Sequence, residues 1–184
     1  MEQIQARCRK IKKEDLEMIR IWRMRPDITK YLNSDPVLTM EDQIKWYKKI
    51  CESDKEFYWL LEVDDTAAGV VSLVNMDETA KSIHTGVYIA EKSKRSLRLI
   101  IDLQWNLYDY AFDCLGMHKV CEEVFTDNKA VLKILDLCGS KVEGQLRDHV
   151  YKNGCYYDIT VRGILREEWM EKKKNVTYNE IEFE

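Results

Sequence analysis

Residues 96–139 read SLRLIIDLQWNLYDYAFDCLGMHKVCEEVFTDNKAVLKILDLCG, and the fold turns on this stretch. Leu99, Leu103, Trp105, Leu107, Tyr110 and Ala111 set an apolar stripe on a helix from about Ser96 to Cys114. Gly116 follows as its stop, because glycine enters the left-handed region that closes a helix at little steric cost. Lys119 to Val124 reads as a strand. Asn128 to Leu137 reads as a short second helix, opened by Asn128 as a capping residue and ended by Gly139. A strand held between two helices points to crossovers over a sheet.

Downstream, Lys141 to Val150 and Tyr156 to Leu165 form a closing hairpin through Asn153-Gly154, a dipeptide that tolerates the positive φ angles of a tight turn. Upstream, Ile83 to Ile89 alternates, with Ile83, Thr85, Val87 and Ile89 on one face and His84, Gly86 and Tyr88 on the other. Phe57 to Val63 and Ala68 to Val74 are apolar strand runs joined by a turn at Asp64-Asp65, and Asp77 to Lys81 is a polar loop. Ile4 to Ile11 is a first strand. Two helices follow it. Glu14 to Met24 stops before Pro26. The second opens with the capping box Thr39-Met40-Glu41-Asp42 and should bury Ile44, Tyr47 and Ile50, with Trp46 beside them. Trp22, Trp46, Trp105 and Trp169 are expected in the core. The order β-α-α-β-β-β-α-β-α-β-β predicts an α/β fold, a mixed sheet with helices on both faces.

The 184 residues are 45% hydrophobic and 34% charged, with a net charge of -4. That length suits one domain, expected over residues 1–170, with 171–184 as a solvated extension led by Glu171-Lys172-Lys173-Lys174. The apolar content argues against disorder, and the mild acidity against a nucleic-acid partner. No apolar run of about 18 residues predicts a membrane span. Met1 to Lys13 is polar and lacks the apolar centre of a secretory leader. The expected setting is therefore the cytoplasm. There Cys8, Cys51, Cys114, Cys121, Cys138 and Cys155 are expected as free thiols, most of them small buried hydrophobes. No Cys/His cluster has zinc spacing, so no metal is expected.

Tyr110-Ala111-Phe112, Leu115-Gly116-Met117-His118-Lys119-Val120, Glu123-Val124, Asn128-Lys129-Ala130 and Val142-Glu143-Gly144 follow one another as in the GNAT N-acetyltransferases. The chain resembles that family from about residue 7 to residue 169. The subgroup that looks nearest is the amino-sugar N-acetyltransferases of the pseudaminic-acid pathway. Its pattern is echoed by Trp22-Arg23-Met24-Arg25, Ile44-Lys45-Trp46-Tyr47, Gly69-Val70-Val71-Ser72-Leu73 and Gly163-Ile164-Leu165-Arg166. The ribosomal-protein N-terminal acetyltransferases share much of the layout. The resemblance implies the GNAT acyl-CoA N-acyltransferase fold. It also implies transfer of acetyl from acetyl-CoA, as co-substrate, to a primary amine of a small acceptor. A nucleotide-linked amino sugar and a protein N-terminus are the candidate acceptors. A homodimer through the closing hairpin is compatible with the sequence.

Such chemistry needs backbone N–H groups at a helix N-terminus for the pyrophosphate, donors on a splayed strand end for the thioester oxygen, and acid–base help. The resemblance gives the first role to Arg95, Ser96, Leu97, Arg98, Leu99 and Ile100, and the second to Tyr88 and Ile89. Asn128 is assigned to the pantetheine arm and Lys133 to the nucleotide end. Arg25, Trp46 and Tyr47 line the acceptor pocket. His84 is the candidate catalytic base, with Tyr88 beside it, because an imidazole with an ordinary pKa of about 6.5 suits proton removal near neutrality. The chain departs from the family pattern at four places. Arg98 and Ile100 replace the small residues of the phosphate loop. Leu135 replaces a tyrosine acid, Ser140 replaces a phenylalanine, and His84-Thr85 precede Gly86 where many relatives carry Glu. Arg95 and Arg98 stand where a helix N-terminus disfavours cations, which points to an anion partner. Two readings stay open: an acetyltransferase slowed by its missing acid, or a non-catalytic binding module that kept the fold.

Overall fold

β1 (Ala6–Lys10), β2 (Phe57–Val63), β3 (Thr66–Asp77), β4 (Ser82–Ile89), β5 (Lys119–Phe125), β6 (Lys141–Lys152), β7 (Cys155–Leu165) and β8 (Glu182–Phe183) form a mixed sheet in the order β6-β7-β5-β4-β3-β2-β1-β8. This is the expected α/β architecture, seen in a computed structural model that describes residues 5–184. Ile4, placed at the start of the first strand, lies outside the described residues. The described residues divide into two compact units.

The first unit comprises 5–74, Gly86–Arg95 and Ile181–Glu184. β1 and β2 pair antiparallel, as do β2 and β3, through a turn in which Asp64 (φ 50) and Asp65 (φ 56) take left-handed conformations. α1 (Leu16–Arg23) buries Leu16, Ile19 and Trp22 at three-residue steps, the spacing of one helix face. They join a core of Ile11, Ile28, Leu60, Val70 and Ala90. Pro26, read as a helix stop, also opens a short helix, α2 (Pro26–Thr29). A proline suits the first turn, where its missing N–H has no intrahelical role. α3 (Met40–Glu52) carries the expected capping box: Thr39 N–H donates to Asp42 at 2.9 Å and Asp42 N–H to Thr39 Oγ1 at 3.2 Å. Its buried stripe is rotated from the expected one. Gln43 is buried and Ile44 is 40% exposed, while Trp46, Tyr47 and Ile50 pack partly against the core. Positions 43, 46, 47 and 50 follow the i, i+3, i+4, i+7 rule better than a stripe begun at Ile44.

The second unit comprises Asn75–Thr85 and Ser96–Glu180. α4 (Leu97–Asp109) continues into one wide turn, Tyr110–Cys114, where Leu115 N–H reaches back to Tyr110 O at 3.1 Å. Gly116 (φ 65) then turns the chain into β5. α5 (Lys129–Cys138) runs between the expected Asn128 cap and Gly139, whose φ is 95. β5 pairs antiparallel with β7, and β7 with β6 across Asn153 (φ 51) and Gly154 (φ 78). Trp169 lies fully buried against Tyr108, with ring centroids 5.5 Å apart.

Two expectations are corrected here. Residues 171–184 are not a free solvated run. α6 (Arg166–Lys173) reaches into them, segment 177–179 bonds to α4, Ile181 is buried, and β8 pairs parallel with β1. The polar composition there hides contacts made through side-chain amides and carbonyls, with a few apolar residues such as Ile181 and Phe183 packed among them. The six cysteines are free as expected, but among them Cys8 and Cys138 are buried, Cys121 is intermediate, and Cys51, Cys114 and Cys155 are exposed.

Candidate active site

In the first unit, the C-terminal end of β4 lies tightly against β3. Gly69 permits this, since a Cβ there would stand 2.2 Å from Tyr88 O. Ala68 O receives Ala90 N–H at 2.7 Å and Glu91 N–H at 3.0 Å. Arg25 and Arg95, assigned to acceptor and cofactor, meet on Asp27. Arg25 grips it with Nε and Nη2 at 3.0 and 2.9 Å, and Arg95 Nη2 lies 3.0 Å away. Arg95 also donates to Ile89 O at 2.8 Å, and Arg25 to Ala90 O at 3.0 Å. The hydrogen bonds from Arg25 and Arg95 hold the Asp27 carboxyl well below the usual carboxylate range. So the anion partner expected of Arg95 includes a side chain of its own unit.

Around Tyr88, two polar atoms are buried without a protein partner: the Tyr88 hydroxyl and Nη1 of Arg23. Burial pushes the Tyr88 phenol up, and the Arg23 charge opposes this while Tyr58 adds to it. Trp46 meets Tyr58 edge to face at 5.3 Å, and Trp46, Tyr47, Tyr58 and Tyr88 all pack on the same apolar cluster. Arg23 and Tyr58 were not among the sequence candidates. Arg23 stood beside Arg25 in the quoted motif, and nothing in the spacing said which of the two lacks a carboxylate.

In the second unit, Ser96 caps α4, its Oγ accepting Leu99 N–H at 3.1 Å. Leu99 itself is a core residue, so neither its side chain nor its N–H is available as expected. Leu97 is exposed and Ile100 half-buried. Arg98 does not crowd the helix start. Its Nε bonds Asp102 at 3.0 Å, one turn further on, and Nη2 donates to Thr177 O at 2.8 Å. The first-turn N–H groups of Leu97 and Arg98 have no partner within the helix, and the helix dipole there favours an anion. This end of α4 therefore fits the diphosphate of an acyl-CoA. The parallel ladder between β4 and β5 pairs Ser82–His84 with Lys119–Cys121. His84 is half-buried, level with Cys121. Asn128 Oδ1 accepts Val131 N–H at 3.4 Å, and Lys133 is exposed on α5. Leu135 is buried in the position of the family's acid.

Behind β5 lies a polar network that the sequence did not announce. Glu122, 3% exposed, accepts from Tyr108 at 2.6 Å, from Gln104 at 3.1 Å and from Ser140. Arg162, level with it on β7, donates to Ser140 O at 2.6 Å and to Asp136 at 2.5 Å. Burial raises the Glu122 carboxyl, against the pull of its donors. Ser140 thus replaces an aromatic with a hydrogen bond. Burial likewise pushes the Cys138 thiol up to about 12, which disfavours its thiolate form near neutrality. Among the described residues no group of His, Cys, Asp and Glu is placed to hold a metal ion.

An α/β fold on a mixed sheet, with first-turn N–H groups of α4 that favour an anion, suits an acyl-CoA-dependent transferase. The chain belongs to the GNAT family: the family model described as an acetyltransferase (GNAT) domain matches residues 8–161. It is 27% identical over 121 residues to acetyltransferase PseH of Campylobacter jejuni, covering 66% of this chain and 73% of that protein. It is 23% identical over 173 residues to spermidine N(1)-acetyltransferase of Vibrio cholerae, covering 92% and 98%. A crystal structure of spermidine N-acetyltransferase from Vibrio cholerae with CoA and spermine superposes with a TM-score of 0.81 at 23% identity, over 91% of this chain and 98% of that one. The chain is accordingly an N-acetyltransferase that uses acetyl-CoA, and the reading as a non-catalytic module falls. No helix among the described residues is long and apolar enough to cross a membrane.

Proposed function

We propose that this N-acetyltransferase acetylates the primary amine of a small acceptor whose body is anionic, of the nucleotide-linked amino-sugar class, in the cytoplasm. The observation that carries this reading is the buried, partnerless Nη1 of Arg23 near Tyr58 and Tyr88. A buried guanidinium nitrogen without an acceptor is costly, and a phosphate or carboxylate on the substrate would satisfy it. The Tyr88 hydroxyl would donate to the same acceptor, and the rings would receive a flat or apolar face. A polycation offers no acceptor to Nη1 of Arg23 and is repelled by its charge, although the rings could hold an ammonium. Arg25 keeps its role in shaping the pocket wall, through Asp27 and the end of β4.

In this scheme His84, or a water it orders, removes the proton of the attacking amine. Backbone N–H groups near Tyr88 and Ile89 polarise the thioester carbonyl. The N–H groups of Leu97 and Arg98 hold the diphosphate, with Ser96 fixing the turn. Asn128 and Lys133 face the rest of the carrier. With Leu135 in place of the acid, the thiolate leaves through water.

The spermidine acetyltransferase likeness favours a competing acceptor, a polyamine, and the ribosomal subgroup a protein N-terminus. Turnover of a nucleoside-diphosphate amino sugar, spermidine and an N-terminal peptide separates the three. The proposal expects the highest kcat/KM with the amino sugar and a loss of roughly 10- to 100-fold with Arg23→Met, the weight of a hydrogen bond to a charged group. Spermidine turned over best, by both wild type and Arg23→Met, would sink it.

A further inference from the structure

We infer that the chain's own C-terminal segment, residues 177–179, is a positioning strap for the turn of α4 that holds acetyl-CoA. The inference rests on the reading of the α4 N-terminus as the diphosphate holder. Arg98, Asp102, Asn106 and Asp109 stand on one face of α4, at steps of four, four and three residues. Each meets the strap. Arg98 Nη2 donates to Thr177 O at 2.8 Å. Asn179 Nδ2 donates to Asp102 Oδ2 at 2.7 Å, and Asn106 Nδ2 donates to Asn179 O at 2.8 Å. The Tyr178 hydroxyl donates to Asp109, which also receives Trp169 Nε1 at 2.8 Å and Lys173 Nζ at 2.5 Å. Asp102 and Asn106 are themselves buried.

The arrangement answers a problem set by the sequence. A helix start frays easily, because its first N–H groups lack intrahelical partners. A phosphate loop with two small residues brings the backbone close to its ligand. Here Arg98 stands in that loop, and a cation at a helix start is unfavourable. The strap resolves both points. Thr177 O and Asp102 draw the guanidinium along the helix, away from its first N–H groups. Asn179 and Tyr178 pin the following turns. The donors are thus held in place before the ligand arrives, which lowers the ordering cost of binding. Asp102 and Asn179 are positioning residues; they act through α4 and touch no substrate.

The test is calorimetric binding of acetyl-CoA, with steady-state kinetics, for wild type, Asn179→Ala and Asn179→Asp. The alanine variant should bind acetyl-CoA roughly five-fold more weakly, the effect of one hydrogen bond. The aspartate variant should lose more, because its carboxylate would face Asp102 at the present 2.7 Å contact. KM for acetyl-CoA should rise in step, while acceptor KM and kcat at saturating acetyl-CoA stay unchanged. Hydrogen exchange should quicken at residues 99–102. Adding Arg98→Ala to Asn179→Ala should cost less than Arg98→Ala costs alone, since the two share one strap. Folded variants with wild-type affinity overturn the strap and leave the diphosphate reading standing. An equal rise in acceptor KM also overturns it, as that is a general structural loss. A folded wild type that binds no acetyl-CoA overturns both.

Discussion

Gly69→Ala is the sharpest test of how this fold builds its substrate end. The added Cβ would lie 2.2 Å from Tyr88 O, 2.9 Å from Ile89 Cα and 3.1 Å from Tyr88 C. These are backbone atoms, so no side chain can swing aside. An ordinary carbon–oxygen contact needs about 1 Å more, and either β3 or the end of β4 must shift by that amount. Ala68, the neighbouring residue, holds Ala90 and Glu91 through its carbonyl, so a shift also strains those bonds. Overpacking of this kind costs about 2–3 kcal/mol. For a chain of this length that lowers Tm by roughly 5–10 °C. A displacement of about 1 Å at Tyr88 and Ile89 should cut kcat/KM on the order of 100-fold. Gly144→Ala is the matched control, because nothing lies within 4 Å of a Cβ at Gly144. Thermal denaturation and steady-state kinetics on both variants give the answer. A Gly69→Ala protein with the Tm and kcat/KM of Gly144→Ala would falsify the close-approach argument.

Three further outcomes are expected. His84→Ala should lower kcat/KM about 100-fold at neutral pH with little change in acetyl-CoA affinity, and a fully active variant removes His84 from the scheme. Leu135→Tyr should not restore a fast enzyme: the site is buried, so the larger ring should destabilise by about 1–3 kcal/mol, read from the urea midpoint. Burial holds the Glu122 carboxyl above its ordinary value, so the folded state binds this proton more tightly than the unfolded chain does. That contribution is present below the ordinary Glu range and is lost as pH rises through the raised value. Glu122→Gln should therefore gain on wild type as pH climbs past the ordinary Glu range, and a pH-independent difference in urea midpoint would count against it.

What the sequence determined by itself was local. Thr39 and Asn128 opened their helices as capping side chains, and Gly116, Gly139 and Asn153-Gly154 turned the chain where left-handed conformations were needed. These signals act over a few residues and carry their own physics, so the element order and the α/β class followed from them. One member of the α3 stripe was misread: Ile44 is exposed and Gln43 takes the buried position, because periodicity fixes a spacing better than a phase. The site was legible in part. The pattern named polar residues such as Asn128 and Ser96, yet it gave no sign of whether a polar side chain finds a partner. Asp27 draws Arg25 and Arg95 together across residues far apart in the chain, while Arg23, the neighbour of Arg25 in the same motif, keeps a buried nitrogen unsatisfied. Ser140 and Tyr108 converge on Glu122, and Asn179 reaches back to Asp102. Only the tertiary structure decided these, because the free energy of a charge or a buried amide depends on what lies within about 3 Å of it, and that distance is set by the whole chain.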